Sequence, residues 1–186
     1  GLEKTRCTTM ALGGFGWFSA MASIVKVVKT YVVAGGCFWC LDAAYRILRG
    51  VSDVVSGYTG GSLEHPTYEQ ICTGATGHAE AVAVTFDPDV IPSDVILDAF
   101  FTMHDPRQLN RQGADVGTQY RSAMFYSSEE DKVLFEAAKA RAEETWDGDL
   151  VARSNFFGHH CENSVNDAVY CCLAVTSVLR YCGYKF

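Results

Sequence analysis

The order of its apolar runs constrains this chain more than any single motif does. From Ser23 to Ala34 the β-branched residues Ile24, Val25, Val27, Val28, Val32 and Val33 predict a buried strand that breaks at Gly35-Gly36. Phe38, Leu41, Ala44, Tyr45 and Leu48 then recur at helical spacing, with Gly50 placed to end the helix. Val51 to Tyr58 predicts a second strand closed by Gly60-Gly61, and Pro66-Thr67-Tyr68 opens a short helix. Ala79 to Phe86 alternates as a third strand and stops at Asp87-Pro88. Ser93 is the expected N-cap of a helix through Met103 that buries Ile96, Leu97, Phe100 and Phe101. Gln119 to Tyr126 is a fourth strand, and Ser127 with Glu130 reads as the capping box of a charged helix ending near Trp146. Strand, helix, strand, strand, helix, strand is the split β-α-β order of a ferredoxin-like α+β domain. Its helices cover one face of a mixed, mostly antiparallel sheet.

A chain of 186 residues, 48% of them hydrophobic, can bury the core of one such domain without staples. Residues 23–186 are expected to form it. Residues 1–22 are expected to lie outside it, as a leader or disordered extension. The uncharged run from Cys7 to Val25 is too rich in glycine for a membrane span, and Ala20-Met21-Ala22 has the small-x-small form of a signal cleavage site. Organelle targeting is thus one reading of that extension. A formal net charge of -7 with no basic cluster argues against nucleic acid or an anionic membrane as partner. The polar stretch from His104 to Thr118 has no helical or strand period, and ordered loops of that length are often functional.

Eight cysteines are many for this length, yet their uneven spacing points to redox or metal chemistry over a disulfide scaffold. Reduced thiols suggest the cytoplasm. Cys37 stands between a double glycine that follows a strand and the start of a helix. The helix N-terminus carries about half a positive charge and free N–H groups, so a thiol there is expected to lean towards thiolate from a free pKa of about 8.5. The competing reading is a small buried hydrophobe. Cys40 completes a C-x-x-C motif, compatible with redox chemistry or with half a zinc site whose other ligands would come from His159, His160 and Cys161.

Several blocks in a fixed order narrow these alternatives. GGCFWC (Gly35 to Cys40), GYTGG (Gly57 to Gly61), PTYEQICTGATGHAEAV (Pro66 to Val82) and HDPRQLNRQGADVGTQYRSAMFY (His104 to Tyr126) together resemble the A class of peptide methionine sulfoxide reductases. The resemblance implies reduction of methionine-S-sulfoxide, free or in oxidised proteins and peptides, with no metal or organic cofactor. It implies Cys37 as the nucleophile that becomes a sulfenic acid, and Glu80 as the acid that protonates the leaving oxygen. Glu80 opens an otherwise apolar strand, where an unpaired charge is costly, although alone it would read as a strand-end residue in solvent. Tyr68 and Tyr120 correspond to phenols that hydrogen-bond the sulfoxide oxygen. Phe38 and Trp39 correspond to the walls of a methyl pocket, and Asp115 to a pocket carboxylate.

The resemblance further implies a disulfide recycled by thioredoxin. Cys40 is the first candidate to resolve the sulfenic acid and Cys182, in Tyr181-Cys182-Gly183, the second. Cys72 is expected to be structural, and His78 and His104 receive no chemical role. Between residues 152 and 179 the family pattern fails, so residues 23–186 are expected to be a single catalytic domain with an atypical tail, acting as a monomer. Val169 to Leu179 reads as a further strand or core segment. Two other readings stand beside the enzyme: a non-enzymatic Cys/His metal-binding module, and a catalytically weakened paralogue.

Overall fold

The computed structural model describes residues 27–156 and the backbone of one further short strand, Tyr170–Cys171. Expectations that fall on residues 1–26, 157–169 and 172–186, including Cys182 and the tail histidines, lie outside the described residues. Strand β1 (Lys29–Gly35), helix α1 (Phe38–Arg46), β2 (Val51–Thr59), α2 (Tyr68–Cys72), β3 (Ala79–Phe86) and α3 (Ser93–Met103) follow the expected order. A hairpin of β4 (Arg111–Gln112) and β5 (Asp115–Val116) comes next, then a 3-10 turn at Thr118–Tyr120. β6 (Ser122–Tyr126), α4 (Glu129–Thr145), β7 (Arg153–Phe156) and β8 (Tyr170–Cys171) complete the order. Among the described residues no helix is long and apolar enough to cross a membrane.

The larger sheet runs β7-β6-β1-β3-β2-β8. β3 is antiparallel to both β1 and β2, so β1 and β2, joined through α1, run parallel with β3 between them. That is the split β-α-β unit, and β6 closes it antiparallel to β1. Side chains alternate between faces along a strand, and β3 uses both faces. Val82, Val84 and Phe86 pack with Phe38, Leu41 and Tyr45 of α1, Ile96 and Phe100 of α3, and Phe135 of α4. Ala79, Ala81 and Ala83 point the other way and are buried with Ala34, Ala123 and Phe125. Glu80 has the parity of Val82, so it lies on the helix-covered face, at the strand end nearest the start of α1.

Several boundaries differ from expectation. β1 begins only at Lys29, because Val27 and Val28 are exposed and have no strand to pair with among the described residues. The cap of α4 is Ser128, not Ser127: Ser128 has extended backbone and its Oγ accepts the Asp131 N–H at 3.1 Å, so the Ser127–Glu130 box does not form. Ser93 is the first helical residue of α3, and Pro92 precedes it as N-cap without a side-chain bond. α1 ends at Arg46, with Gly50 (φ 102°) shaping the turn into β2 instead of ending the helix. The fourth strand starts at Ser122, since Thr118–Tyr120 coils into the 3-10 turn. β7 pairs parallel with β6 inside the stretch read as atypical, a pairing that no local pattern announces. The backbone of β8 falls within the segment expected to be strand or core and pairs with β2 at Gly57 and Tyr58.

Candidate active site

The site begins at the junction the sequence marked. Cys37 is the N-cap of α1, half-buried, with no side-chain cap of its own. The double glycine before it makes room for protein side chains. A Cβ on Gly35 would come within 2.9 Å of the His104 ring, and one on Gly36 within 2.7 Å of the Gln112 side chain. Gly36 also has φ +95°, a conformation that costs little only without a Cβ. Gly36→Ala is therefore expected to lower the melting temperature by roughly 3–10 °C, measured by thermal denaturation, and an unchanged midpoint would contradict this.

His104 and Gln112 are fixed in turn. Nδ1 of His104 donates to the Phe100 carbonyl at 2.7 Å, and Nε2 accepts from the Ser122 hydroxyl at 2.7 Å. Burial pushes this imidazole down to about 4, so it stays neutral. Gln112 brackets the backbone of Asp105, accepting its N–H at 3.1 Å and donating to its carbonyl at 3.0 Å. Thus the polar loop from His104 to Thr118 is tied back against the residue before Cys37. His78 does similar work across the site: it accepts the Gly61 N–H on Nδ1 at 3.2 Å and donates from Nε2 to Leu63 O at 2.8 Å.

Glu80 is 3% exposed, and its Oε2 accepts the Phe38 N–H at 3.2 Å. The first N–H of α1 therefore serves the carboxyl. Burial pushes Glu80 up to about 7; the Phe38 bond lowers it and the nearby Asp115 raises it again. Burial likewise pushes the Cys37 thiol up to about 11. The N–H groups of Trp39 and Cys40 pull it down, while the Cys40 and Glu80 side chains add to the rise. Desolvation thus works against the lean towards thiolate expected from the helix N-terminus.

Phe38 is buried, its ring tilted against Tyr58 at 5.6 Å, while Trp39 is half-buried and meets Phe38 edge-on at 5.6 Å. Tyr120 and Tyr68 are half-buried. Burial pushes the Tyr120 hydroxyl up to about 12, and Glu80, Asp115, Cys72 and Cys37 all add to the rise, so these groups share one neighbourhood. The Tyr68 hydroxyl is raised first by a hydrogen bond to Cys72 one helical turn on, then by burial. Asp115 is exposed on β5, within electrostatic reach of Glu80. Cys40 is exposed in the first turn of α1, its N–H bonded to the Cys37 carbonyl at 3.1 Å.

The structure therefore gathers Cys37, Phe38, Trp39, Cys40, Tyr68, Glu80, Asp115 and Tyr120 around the mouth of α1. Sequence reasoning missed Gln112 here. Cys72, expected to be structural, ends α2 as an exposed thiol one helical turn from Tyr68. Among the described residues there is no group of three or more His, Cys, Asp or Glu side chains able to hold a metal ion. The tail ligands invoked for zinc, His159, His160 and Cys161, lie outside the described residues.

The sequence profile of a family described as peptide methionine sulfoxide reductase matches residues 29–164, continuing past Ala152 into the stretch read as atypical. A protein of Clavibacter michiganensis named peptide methionine sulfoxide reductase MsrA is 67% identical over 124 residues, covering 67% of this chain and 71% of that protein. The reduced form of Mxr1 from Saccharomyces cerevisiae superposes with a TM-score of 0.64 at 28% identity, over 75% of this chain and 84% of the yeast chain. Methionine sulfoxide reductase A of Corynebacterium diphtheriae also gives 0.64, at 26% identity, over 85% of this chain and 77% of its own. The chain belongs to the peptide methionine sulfoxide reductase family, within its A class.

Proposed function

We propose that Cys37 and Glu80 carry the thiol-dependent methionine sulfoxide reduction of this enzyme as a pair sharing one proton. The observation that supports this reading is the buried Glu80 carboxyl, bonded to the first N–H of the helix whose N-cap is Cys37. Removing oxygen from a sulfoxide needs a nucleophile at sulfur and a proton at oxygen, since oxide is a very poor leaving group. Glu80 accepts the Cys37 proton and passes it to the sulfoxide oxygen as the thiolate attacks the sulfoxide sulfur. That attack joins the two sulfurs. The S–O bond of the substrate then breaks as the protonated oxygen passes to the Cys37 sulfur. The sulfur–sulfur bond breaks with its electron pair going to the substrate, and methionine leaves with Cys37 as sulfenic acid. The substrate sulfur gains the two electrons that the cysteine sulfur loses.

Tyr68 and Tyr120 donate to the developing charge on that oxygen, as donors in an oxyanion hole do. Both hydroxyls keep their protons, because their environment raises their pKa values. Phe38 and Trp39 form apolar walls for the substrate methyl group and keep water out. Asp115 favours the neutral form of Glu80 through its negative charge.

Cys40 then attacks the sulfenic acid, releasing water and forming a Cys37–Cys40 disulfide that thioredoxin reduces. Cys182 is the second candidate for this step. Its exposure lets Cys40 present the disulfide to a protein reductant. Cys40→Ser is expected to keep one full turnover and to lose thioredoxin-coupled recycling at least about tenfold. Quantifying methionine per enzyme in single and multiple turnover checks it, and full recycling by the variant removes Cys40 from the role. Free thiols of this kind fit a reducing compartment, and we place the enzyme in the cytoplasm.

The direct test supplies each sulfoxide epimer, as free amino acid and within a peptide, first with dithiothreitol and then with thioredoxin. Reduction of the S epimer alone is expected. Turnover of neither epimer would leave the reading without support.

A further inference from the structure

One side chain outside this chemistry touches three of the loops that carry it. Arg121 follows the 3-10 turn Thr118–Tyr120 and is half-buried. One guanidinium nitrogen donates to the Thr118 carbonyl at 2.9 Å, and the other terminal nitrogen donates to the Gly77 carbonyl at 2.9 Å. Thr118 opens the turn that bears Tyr120. Gly77, at φ +74°, is the bend from which His78, Ala79 and Glu80 enter β3. A Cβ on Gly60 would lie 3.1 Å from the same terminal nitrogen, so the GYTGG turn closes over the guanidinium. The positive charge is also felt at the His78 ring.

We infer that Arg121 is a positioning residue, a planar clamp that sets the Tyr120 hydroxyl relative to the Glu80 carboxyl by holding the two carbonyls at a fixed separation. The inference rests on the roles proposed above for Tyr120 and Glu80. A guanidinium suits the task because its donors diverge in one rigid plane. A lysine ammonium on a flexible stem cannot hold two carbonyls in that geometry. Tyr68 sits on α2, outside the span of the clamp, so the effect should pass through Tyr120 and not through Tyr68.

The test is a pair of double-mutant cycles on the single-turnover reduction of a methionine-S-sulfoxide peptide. Arg121→Lys is expected to slow the step at least about tenfold while changing substrate affinity less than about threefold. In a Tyr120→Phe background the same change should cost less than about threefold, and in a Tyr68→Phe background the tenfold loss should persist. An equal loss in both backgrounds, or none in either, overturns the clamp. Arg121→Gln serves in the same cycles should the lysine variant fold poorly.

Hydrogen exchange gives a readout that needs no turnover. Amides 77–80 and 118–121 of Arg121→Lys should exchange faster together, with α4 unchanged. Unchanged exchange in both segments overturns the clamp even in an active enzyme. Wild-type protein inactive on the peptide would instead defeat the proposed function, leaving exchange to decide the clamp.

Discussion

Cys37→Ser is expected to abolish methionine formation, with the single-turnover rate falling at least about a thousandfold. Serine has nearly the same size and keeps the N-cap position, so the fold should survive with an unchanged melting temperature. What disappears is a sulfur atom able to accept oxygen and become a sulfenic acid. A hydroxyl is far harder to deprotonate than a thiol and has no corresponding oxidised state. The measurement is methionine released per enzyme in one turnover without added reductant, alongside trapping of the sulfenic acid with a dimedone-type reagent. Methionine release by the serine variant at more than a tenth of the wild-type rate would move the nucleophile to another cysteine. Exposed Cys40 and Cys72 would then be the next to test.

The second large effect is expected at Glu80. Glu80→Gln should slow the sulfoxide step by about 10²–10⁴-fold, the usual worth of a positioned acid–base group. It keeps the shape of the side chain and leaves an oxygen to accept the Phe38 N–H. The pH dependence provides the sharper check. With Glu80 near 7 and Cys37 near 11, the pair holds two protons below about pH 7, one between the two values, and none above. The reaction consumes the one-proton state, in which the proton rests on sulfur until a bound sulfoxide oxygen makes a neutral Glu80 favourable. The single-turnover rate should therefore rise as pH increases through about 7, stay level, and fall only towards about 11. Glu80→Gln should erase that rise. A wild-type rate that instead falls through pH 7 would mean that Glu80 must start protonated, and a rise that survives in the variant would assign the limb to another group.

Much of the fold was legible because its signals are local. The order β1, α1, β2, β3, α3, β6 follows from alternation in Ala79–Phe86, helical spacing in Phe38–Leu48, and the glycine and proline breaks between runs. Boundaries failed where two adjacent residues offer equal chemistry. Ser127 and Ser128 are both competent caps, and only the extended backbone at Ser128 decides between them. Val27 and Val28 have strand propensity but no partner strand beside them. β7 could not be seen, because its parallel pairing with β6 depends on α4 returning the chain to that edge.

The site divides in the same way. Cys37 at a strand-to-helix junction and Glu80 at the mouth of an apolar strand are local features. The balance between them is not. Which side chain receives the first N–H of α1, and how deeply the sulfur is buried, depend on a contact between residues 42 positions apart. Gln112 lying against Gly36, and Arg121 reaching a carbonyl 44 positions back, leave no periodic trace in the chain.

The alternation along β3 also limits how this enzyme can vary. One residue added or deleted between Glu80 and Val82 would transfer Glu80 to the alanine-lined side, facing away from the sulfur, while the remaining strand could still pair. Such a protein would fold and do no chemistry. Length changes near the acid are therefore tolerable only outside the ladder, since even a step of two, which restores the face, carries Glu80 about 7 Å along the strand from the Phe38 N–H. Room to add sequence lies upstream of the bend at Gly77, in the exposed turn at residues 73–75, because Gly77 itself is held by Arg121.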